Sequence, residues 1–319
     1  MKYRFLGKLP IRVSEIGLGT AQLANTSGRL HGVQFIPARV AREILARALD
    51  QGVNFFDTAD RYGEAEMLLG ECSTATKSRI TIATKAGLRP EGTRDFSEDY
   101  LRKSVDQSLK QLRVDSLDLF QLNKPAEADL KDGRIFALLE DLKLSGKIRY
   151  AGIVVGETSA GFLSVDSGTV NTLQVLYNLL YQDTYQLIRY AGERGLGVVV
   201  RSPLNSGVLS GTYTSSTVFP AGDERSLYFS GANFQTRLSL LKEVQDALHI
   251  DNDDLLEFSL RFVLSCPHVS VVIPGASSVD QAVRYAKCSD LPELGESELE
   301  HIKSVVASRL SHWNQVFQN

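Results

Sequence analysis

Short apolar runs alternate with longer stretches of helical period from one end of the chain to the other. The runs are "EIGLGT" at 15–20, "VNFFDT" at 53–58, "ITIATK" at 80–85, "LDLFQLN" at 117–123, "IRYAGIVV" at 148–155, "VNTLQV" at 170–175, "LGVVVRS" at 196–202 and "VSVVIPG" at 269–275. Their brevity and β-branched content predict parallel strands buried on both faces. Between them, "PARVAREILARALDQG" starts at Pro37 and stops before Gly52, with Val40, Ile44, Leu45 and Ala48 on one face. "SEDYLRKSVDQSLKQLRV" offers Ser97 as N-cap and a stripe of Leu101, Val105, Leu109 and Leu112. Segments closed by Gly146 and Gly195 repeat the order helix, glycine, strand.

Eight strand–helix units predict an α/β fold, a (β/α)8 TIM barrel forming a single domain over residues 1–319. Residues 3–13 read as a hairpin plugging the barrel bottom, and a helical tail starts near 295. The stretch 205–233 is too long for a plain turn, which marks it as functional or mobile. A doubly wound open sheet is the competing architecture, but it needs G-x-G-x-x-G after the first strand. "GLGTAQLAN" supplies Gly17 and Gly19, then Leu23 instead of a third glycine.

Composition narrows the function classes. A formal charge of −3 gives no basic footprint for nucleic acid. No apolar run approaches the roughly 18 residues of a membrane helix, and the N-terminus lacks a signal-peptide core, so a cytoplasmic protein without membrane partners is expected. Cys72, Cys266 and Cys288 are scattered and read as reduced thiols. The 5 histidines show no metal-ligand spacing, so no metal site is expected.

In a barrel of this kind the active site lies at the C-terminal ends of the strands. Those ends bring Asp57, Tyr62 and Lys85 into adjacent positions. A phenol ordinarily holds its proton to about pH 10, and a neighbouring ammonium stabilises the phenolate. An aspartate paired with the lysine would keep it charged and oriented. Singly, Asp57 could cap a turn, Lys85 could be a solvated charge and Tyr62 a wall residue. Together they make Tyr62 a candidate general acid for a carbonyl oxygen.

"EIGLGT", "FFDTADRYGEAEMLLG", "ITIATKAG", "LDLFQL.KP", "GKIRYAGI", "LQVLYNLL", "RSPLNSGVLSG" and "VIPGASSVDQ" occur in an order that resembles the aldo-keto reductase family along nearly the whole chain. The resemblance implies NADP(H)-linked reduction of a small-molecule carbonyl substrate. It implies a catalytic tetrad in which Asp57, Tyr62 and Lys85 match, with Asn123 at the position usually held by histidine. Asparagine can still donate to a carbonyl oxygen, although it cannot titrate. Cofactor contacts carried over are Gln174 for the carboxamide, Arg201 at the usual ring-stacking aromatic, Ser202, Leu204 and Ser206 in the pyrophosphate turn, and Gly275, Ser277 and Gln281 near the 2′-phosphate and ribose. Val154 and Val155 replace a Ser-Asn pair, Thr212 a lysine, and Arg284 and Tyr285 a Glu-Asn adenine clasp. Arg284 could meet a phosphate and Tyr285 could stack on adenine.

Three functions remain open on these residues: an NADPH-dependent carbonyl reductase, a non-redox lyase, dehydratase or isomerase using Tyr62, Lys85 and Asp57, and a non-catalytic cofactor-binding relative. Arg201 suits a carboxylate or phosphate of a substrate, or a salt bridge to Asp223 or Glu224. His31 belongs to the substrate rim or to a solvated loop. Trp313 packs the tail or lines the pocket. "GDERS" at 222–226 reads as a solvated loop and "DNDD" at 251–254 as a helix start.

Overall fold

A computed structural model describes residues 1–25, 35–75, 80–89, 91–219, 223, 225, 226, 229 and 232–317, with side chains described up to 309 except those of 232 and 233. Each apolar run of the sequence becomes a strand. After an antiparallel hairpin of β1 (Tyr3–Phe5) and β2 (Arg12–Ser14), the strands are β3 (Leu18–Gly19), β4 (Phe55–Asp57), β5 (Thr81–Ala86) and β6 (Leu117–Asn123). They continue with β7 (Ile148–Val154), β8 (Thr172–Leu176), β9 (Gly197–Arg201) and β10 (Val271–Ile273). Strands β3 to β10 pair in parallel in chain order as an 8-stranded sheet. Bridges Ile16–Val272 and Gly19–Gly275 join the last strand to the first, giving a (β/α)8 barrel.

The helices are α1 (Ala38–Asp50), α2 (Ala65–Ala75), α3 (Glu98–Leu112), α4 (Glu127–Leu130), α5 (Arg134–Leu144), α6 (Thr158–Asp166), α7 (Tyr185–Glu193), α8 (Ala232–Leu248), α9 (Asn252–Leu264), α10 (Val279–Lys287) and α11 (Glu296–Phe317). Helix α1 buries Ala41, Ile44, Leu45 and Ala48, with Val40 at the edge of the stripe. Ser97 stands at the N-cap of α3, but its hydroxyl makes no cap bond; Asp95 Oδ1 instead accepts from the Ser97 N–H at 2.9 Å. Asp251 likewise occupies the N-cap of α9 without a side-chain cap bond, and Asp253 and Asp254 fill its first turn. There the carboxylates face the positive end of the helix dipole.

Two apolar cores follow from this layout. The larger lies between strands and helices, and a smaller one fills the barrel with Phe55, Ala83, Leu119, Val199, Val271 and Ile273. Leu6 and Val13, both fully buried, come from the hairpin and close the inner core from below. Arg4 fixes that hairpin, bonding to Val269 O, Leu264 O and Glu15. Above the barrel the 205–233 stretch opens with a 3₁₀ segment at Asn205–Ser210. Tyr213, Phe219 and Phe229 then cluster with Phe234, with ring centroids 5.3–6.0 Å apart. Described residues of this loop are thus anchored by aromatic packing.

Candidate active site

Asp57 closes β4 and Lys85 lies near the end of β5; both are buried. Lys85 Nζ donates to Asp57 Oδ1 and, at 2.7 Å, to Thr58 O. The second carboxylate oxygen accepts from Gln174 Nε2 at 2.7 Å and Gln121 Nε2 at 3.1 Å. Three donors satisfy the buried Asp57 as an anion. Burial by itself would push the Lys85 ammonium down; the Asp57 carboxylate and Tyr62 outweigh it and hold the lysine above its ordinary value. Lys85 is therefore a fixed cation.

Tyr62 stands on the loop after β4. Its N–H donates to Ala59 O at 3.0 Å and its carbonyl accepts from the Ala65 N–H at 2.8 Å, which fixes the turn. Lys85 Nζ lies 5.0 Å from the centroid of its ring. The phenol is half-buried, and its hydroxyl bonds to no described residue. Asn123 ends β6 with 6% exposure and a side-chain amide that also meets no described partner. Alternation along the strand puts Asn123 and Gln121 on the same face. The site thus holds two open hydrogen-bonding groups, one phenol and one amide, beside a locked ion pair.

Arg201 ends β9, and its Nη2 donates to Val155 O at 3.3 Å. It does not meet Asp223, which pairs with Arg225 at 2.6 Å; a partner two residues away is reached with less chain ordering than one across the barrel. Glu224 and His31 lie outside the described residues, as does the side chain of Trp313. Arg284 donates to Asp253 O at 2.9 Å and faces Glu257 at 3.6 Å, so it is engaged with α9. Tyr285 is buried, its phenol pushed up to about 12 by that burial, and it is not available to stack on adenine.

Two residues of this site carry no role in the sequence reading. Gln121 contacts Asp57, and its signal was the register: it sits two residues before Asn123 in one strand. Lys124 follows Asn123 directly, with a positive φ of 59° and its N–H bound to Val154 O at 3.0 Å. Its signals were a cation placed immediately after a strand end and its place in the stretch "LDLFQL.KP".

A model of the Aldo/keto reductase family matches residues 15–307. The chain belongs to the aldo/keto reductase family. It is 40% identical over 162 residues to the 6-dehydroglucose reductase of Novosphingobium aromaticivorans, covering 47% of this chain and 50% of that protein. It is 26% identical over 338 residues to the L-glyceraldehyde 3-phosphate reductase of Escherichia coli, covering 98% and 95%. Among solved structures, an aldo-keto reductase from Bacillus halodurans in its holo form matches with a TM-score of 0.80 and 28% identity over 96% of each chain.

Aldo/keto reductases generally use NADP(H), and the fit of that group can be tested on this barrel. Gln174 Nε2 donates to Asp57 Oδ2 at 2.7 Å and to Gln121 Oε1 at 3.3 Å, but its own Oε1 accepts from no described residue. That open acceptor suits a carboxamide N–H. Ser202 and Ser206 share positive φ, 50° and 54°, in the turn around the buried Leu204. Gly275 lies so close to Gln22 that a Cβ would come within 2.0 Å of its side chain. Ser277, half-buried just before α10, donates from N and Oγ to Oε1 of the exposed Gln281 at 2.8 and 3.1 Å. Val154 and Val155 are buried and offer only carbonyls, which Lys124 and Arg201 occupy. The residues that would hold the group are Gln174, the 202–206 turn and the 275–281 segment, while 154–155 offer it no side-chain donor.

Proposed function

We propose that this aldo/keto reductase reduces aldehydes, ketones or sugar-like carbonyls with NADPH, using Tyr62 as the general acid. The observation that carries the reading is the Lys85 ammonium, locked on Asp57 and 5.0 Å from the Tyr62 ring. NADPH, held by Gln174, Arg201, Ser202, Leu204, Ser206, Gly275, Ser277 and Gln281, would supply hydride to the carbonyl carbon. Tyr62 gives its Oη proton to the carbonyl oxygen. Lys85 stabilises the phenolate left behind. Asp57, tied to Gln121 and Gln174, holds Lys85 in place, and the open Asn123 amide donates a second hydrogen bond to the same oxygen. Names of the relatives support a sugar-like carbonyl, since two of them are reductases of 6-dehydroglucose and of L-glyceraldehyde 3-phosphate.

One observation favours a second reading. Val154 and Val155 present no side-chain hydrogen bond, and Arg201 puts a positive charge beside them. That suits a non-redox lyase, dehydratase or isomerase in which Tyr62, Lys85 and Asp57 only move protons. Fluorescence titration with NADPH and NADH separates the two. Submillimolar NADPH binding, followed by cofactor oxidation on a carbonyl panel, supports the reductase; binding of neither nucleotide removes it.

A further inference from the structure

Positive charge collects around Val154 and Val155, and no acid among the described residues pairs with it. Lys124 approaches from β6, its N–H on Val154 O at 3.0 Å; Arg201 approaches from β9, its Nη2 on Val155 O at 3.3 Å. The Lys124 stem lies against Gly156, whose Cβ, if present, would be 3.0 Å from Lys124 Cβ. Lys124 makes no side-chain hydrogen bond or ion pair to a described residue. Arg201 Nε is fully buried and has no hydrogen-bond partner among the described residues. A buried donor on a charged group is costly unless a ligand completes it.

The surroundings add to the deficit. Burial, then Arg201, Arg94 and Arg61, hold the Lys124 ammonium down at about 8. Burial also pushes Arg201 below its ordinary value, opposed by Tyr62, Tyr181 and Asp57. The one carboxylate among those groups, Asp57, is already committed to Lys85, Gln121 and Gln174. Elsewhere in the barrel mouth Arg89 has Asp95 and Arg225 has Asp223. Among the described residues Arg61 and Arg94, which also act on Lys124, form no ion pair either, so the uncompensated positive charge extends around Lys124 and Arg201.

We propose that Lys124 and Arg201 form an anion seat beside Tyr62, which holds a carboxylate or phosphate carried by the carbonyl substrate. The substrate class is then an anionic aldehyde or ketone: an oxo acid or a phosphorylated sugar-like carbonyl. A guanidinium and an ammonium facing one group give a planar fork plus a point charge, a pairing that grips an oxyanion. In the reading above the cofactor's phosphates go to 202–206 and 275–281, while Arg201 stands at the nicotinamide end where the reacting carbonyl also sits, so an anion held there belongs to the substrate. This inference rests on the carbonyl-reductase reading for its source of anion, but not for the existence of the seat.

The test uses matched substrates and direct binding. NADPH oxidation is followed with succinic semialdehyde against butanal, and with glyceraldehyde 3-phosphate against glyceraldehyde. The expected preference for the anionic member in kcat/KM is about 100-fold, the scale of two charge-assisted hydrogen bonds. It falls to within a few-fold in Lys124→Met and in Arg201→Met, and recovers in part in Arg201→Lys. A parent ratio near one for both pairs overturns the proposal. In parallel, inorganic phosphate is titrated by calorimetry with and without saturating NADPH. Saturable binding that persists with NADPH and weakens at least tenfold in both methionine variants supports the seat. Absence of saturable binding overturns it, and displacement of phosphate by NADPH assigns the charges to the cofactor and overturns the substrate role. If no carbonyl is reduced, the reductase reading falls while the phosphate titration still decides the seat.

Discussion

Removing one oxygen from Tyr62 takes away the proton source and leaves the ring that Lys85 faces at 5.0 Å. Tyr62→Phe is expected to lower kcat/KM by about 10²- to 10⁴-fold, the range of a positioned general acid, in steady-state assays of NADPH consumption. Unchanged turnover would take Tyr62 out of the chemistry. A subtler residue is Gly152 on β7, where an added Cβ would stand 2.3 Å from Thr172 Oγ1 and 3.2 Å from Gln121 Cγ. Gly152→Ala therefore forces Thr172 aside and presses on Gln121, a donor to Asp57, and is expected to cost about 1–3 kcal/mol of stability in denaturant melts. Lys124 gives a pH signature. Its pKa of about 8, set by burial and then by Arg201, Arg94 and Arg61, means that the seat loses charge above that pH. The anionic-over-neutral kcat/KM ratio should fall between about pH 7 and 9 and stay level in Lys124→Arg, because arginine keeps its proton. Proton transfer from Tyr62 is common to both substrates and cancels in the ratio. A level ratio in the parent would exclude Lys124.

At the scale of elements, a buried acid links three of them. Glu66 of α2, 3% exposed, accepts from Thr84 Oγ1 of β5 at 2.6 Å, and α3 packs over both. Burial raises its carboxyl above 4.5, with the Thr84 bond opposing. In the window between 4.5 and the raised folded value, the folded state binds more protons than the unfolded state. Stability from this group therefore falls as pH rises through that window. Asp60, likewise raised by burial, acts with the same sign. Glu66→Gln, which keeps a Thr84 acceptor, is expected to flatten the melting temperature against pH and to melt above the parent at pH 8. An unchanged slope would place the dependence elsewhere. Such links mark the limit of what the sequence discloses. The eight strands were legible because strands buried on both faces need unbroken apolar runs. Asp57, Tyr62 and Lys85 were legible because each lies at or just past a run's end. The Gln174–Asp57 and Gln121–Asp57 bonds span 117 and 64 residues, and only barrel closure brings them together. Pairing of Asp223 with Arg225 and of Arg284 with α9 was hidden for the opposite reason, since nearby partners won over the Arg201 salt bridge and the phosphate contact expected of them.

For the whole molecule, the barrel separates what holds it together from what it does. Leu6 and Val13 complete the inner core at the bottom, and the strand ends at the top carry Asp57, Lys85, Asn123 and Arg201. Leu6 is fully buried, so Leu6→Ala removes apolar contact and leaves a cavity beneath β4 and β9. It should cost about 2–5 kcal/mol in chemical denaturation. Its kcat/KM should stay within about twofold of the parent at a temperature where both are folded, because no site residue rests on the hairpin. Phe234 is the opposite case. It is 4% exposed and packs on Tyr213, Phe219 and Phe229, and Tyr213 donates to Ser206 O at 3.1 Å in the turn after β9. Phe234→Ala should loosen that turn, raising the NADPH dissociation constant in fluorescence titration together with its loss of stability. If Leu6→Ala weakened NADPH binding as much as Phe234→Ala, stability and site could not be assigned to opposite ends of the barrel. Strain would then travel the length of the strands, and the inner core that joins Leu6 to Phe55 and Ile273 would have to be counted as part of the site's support.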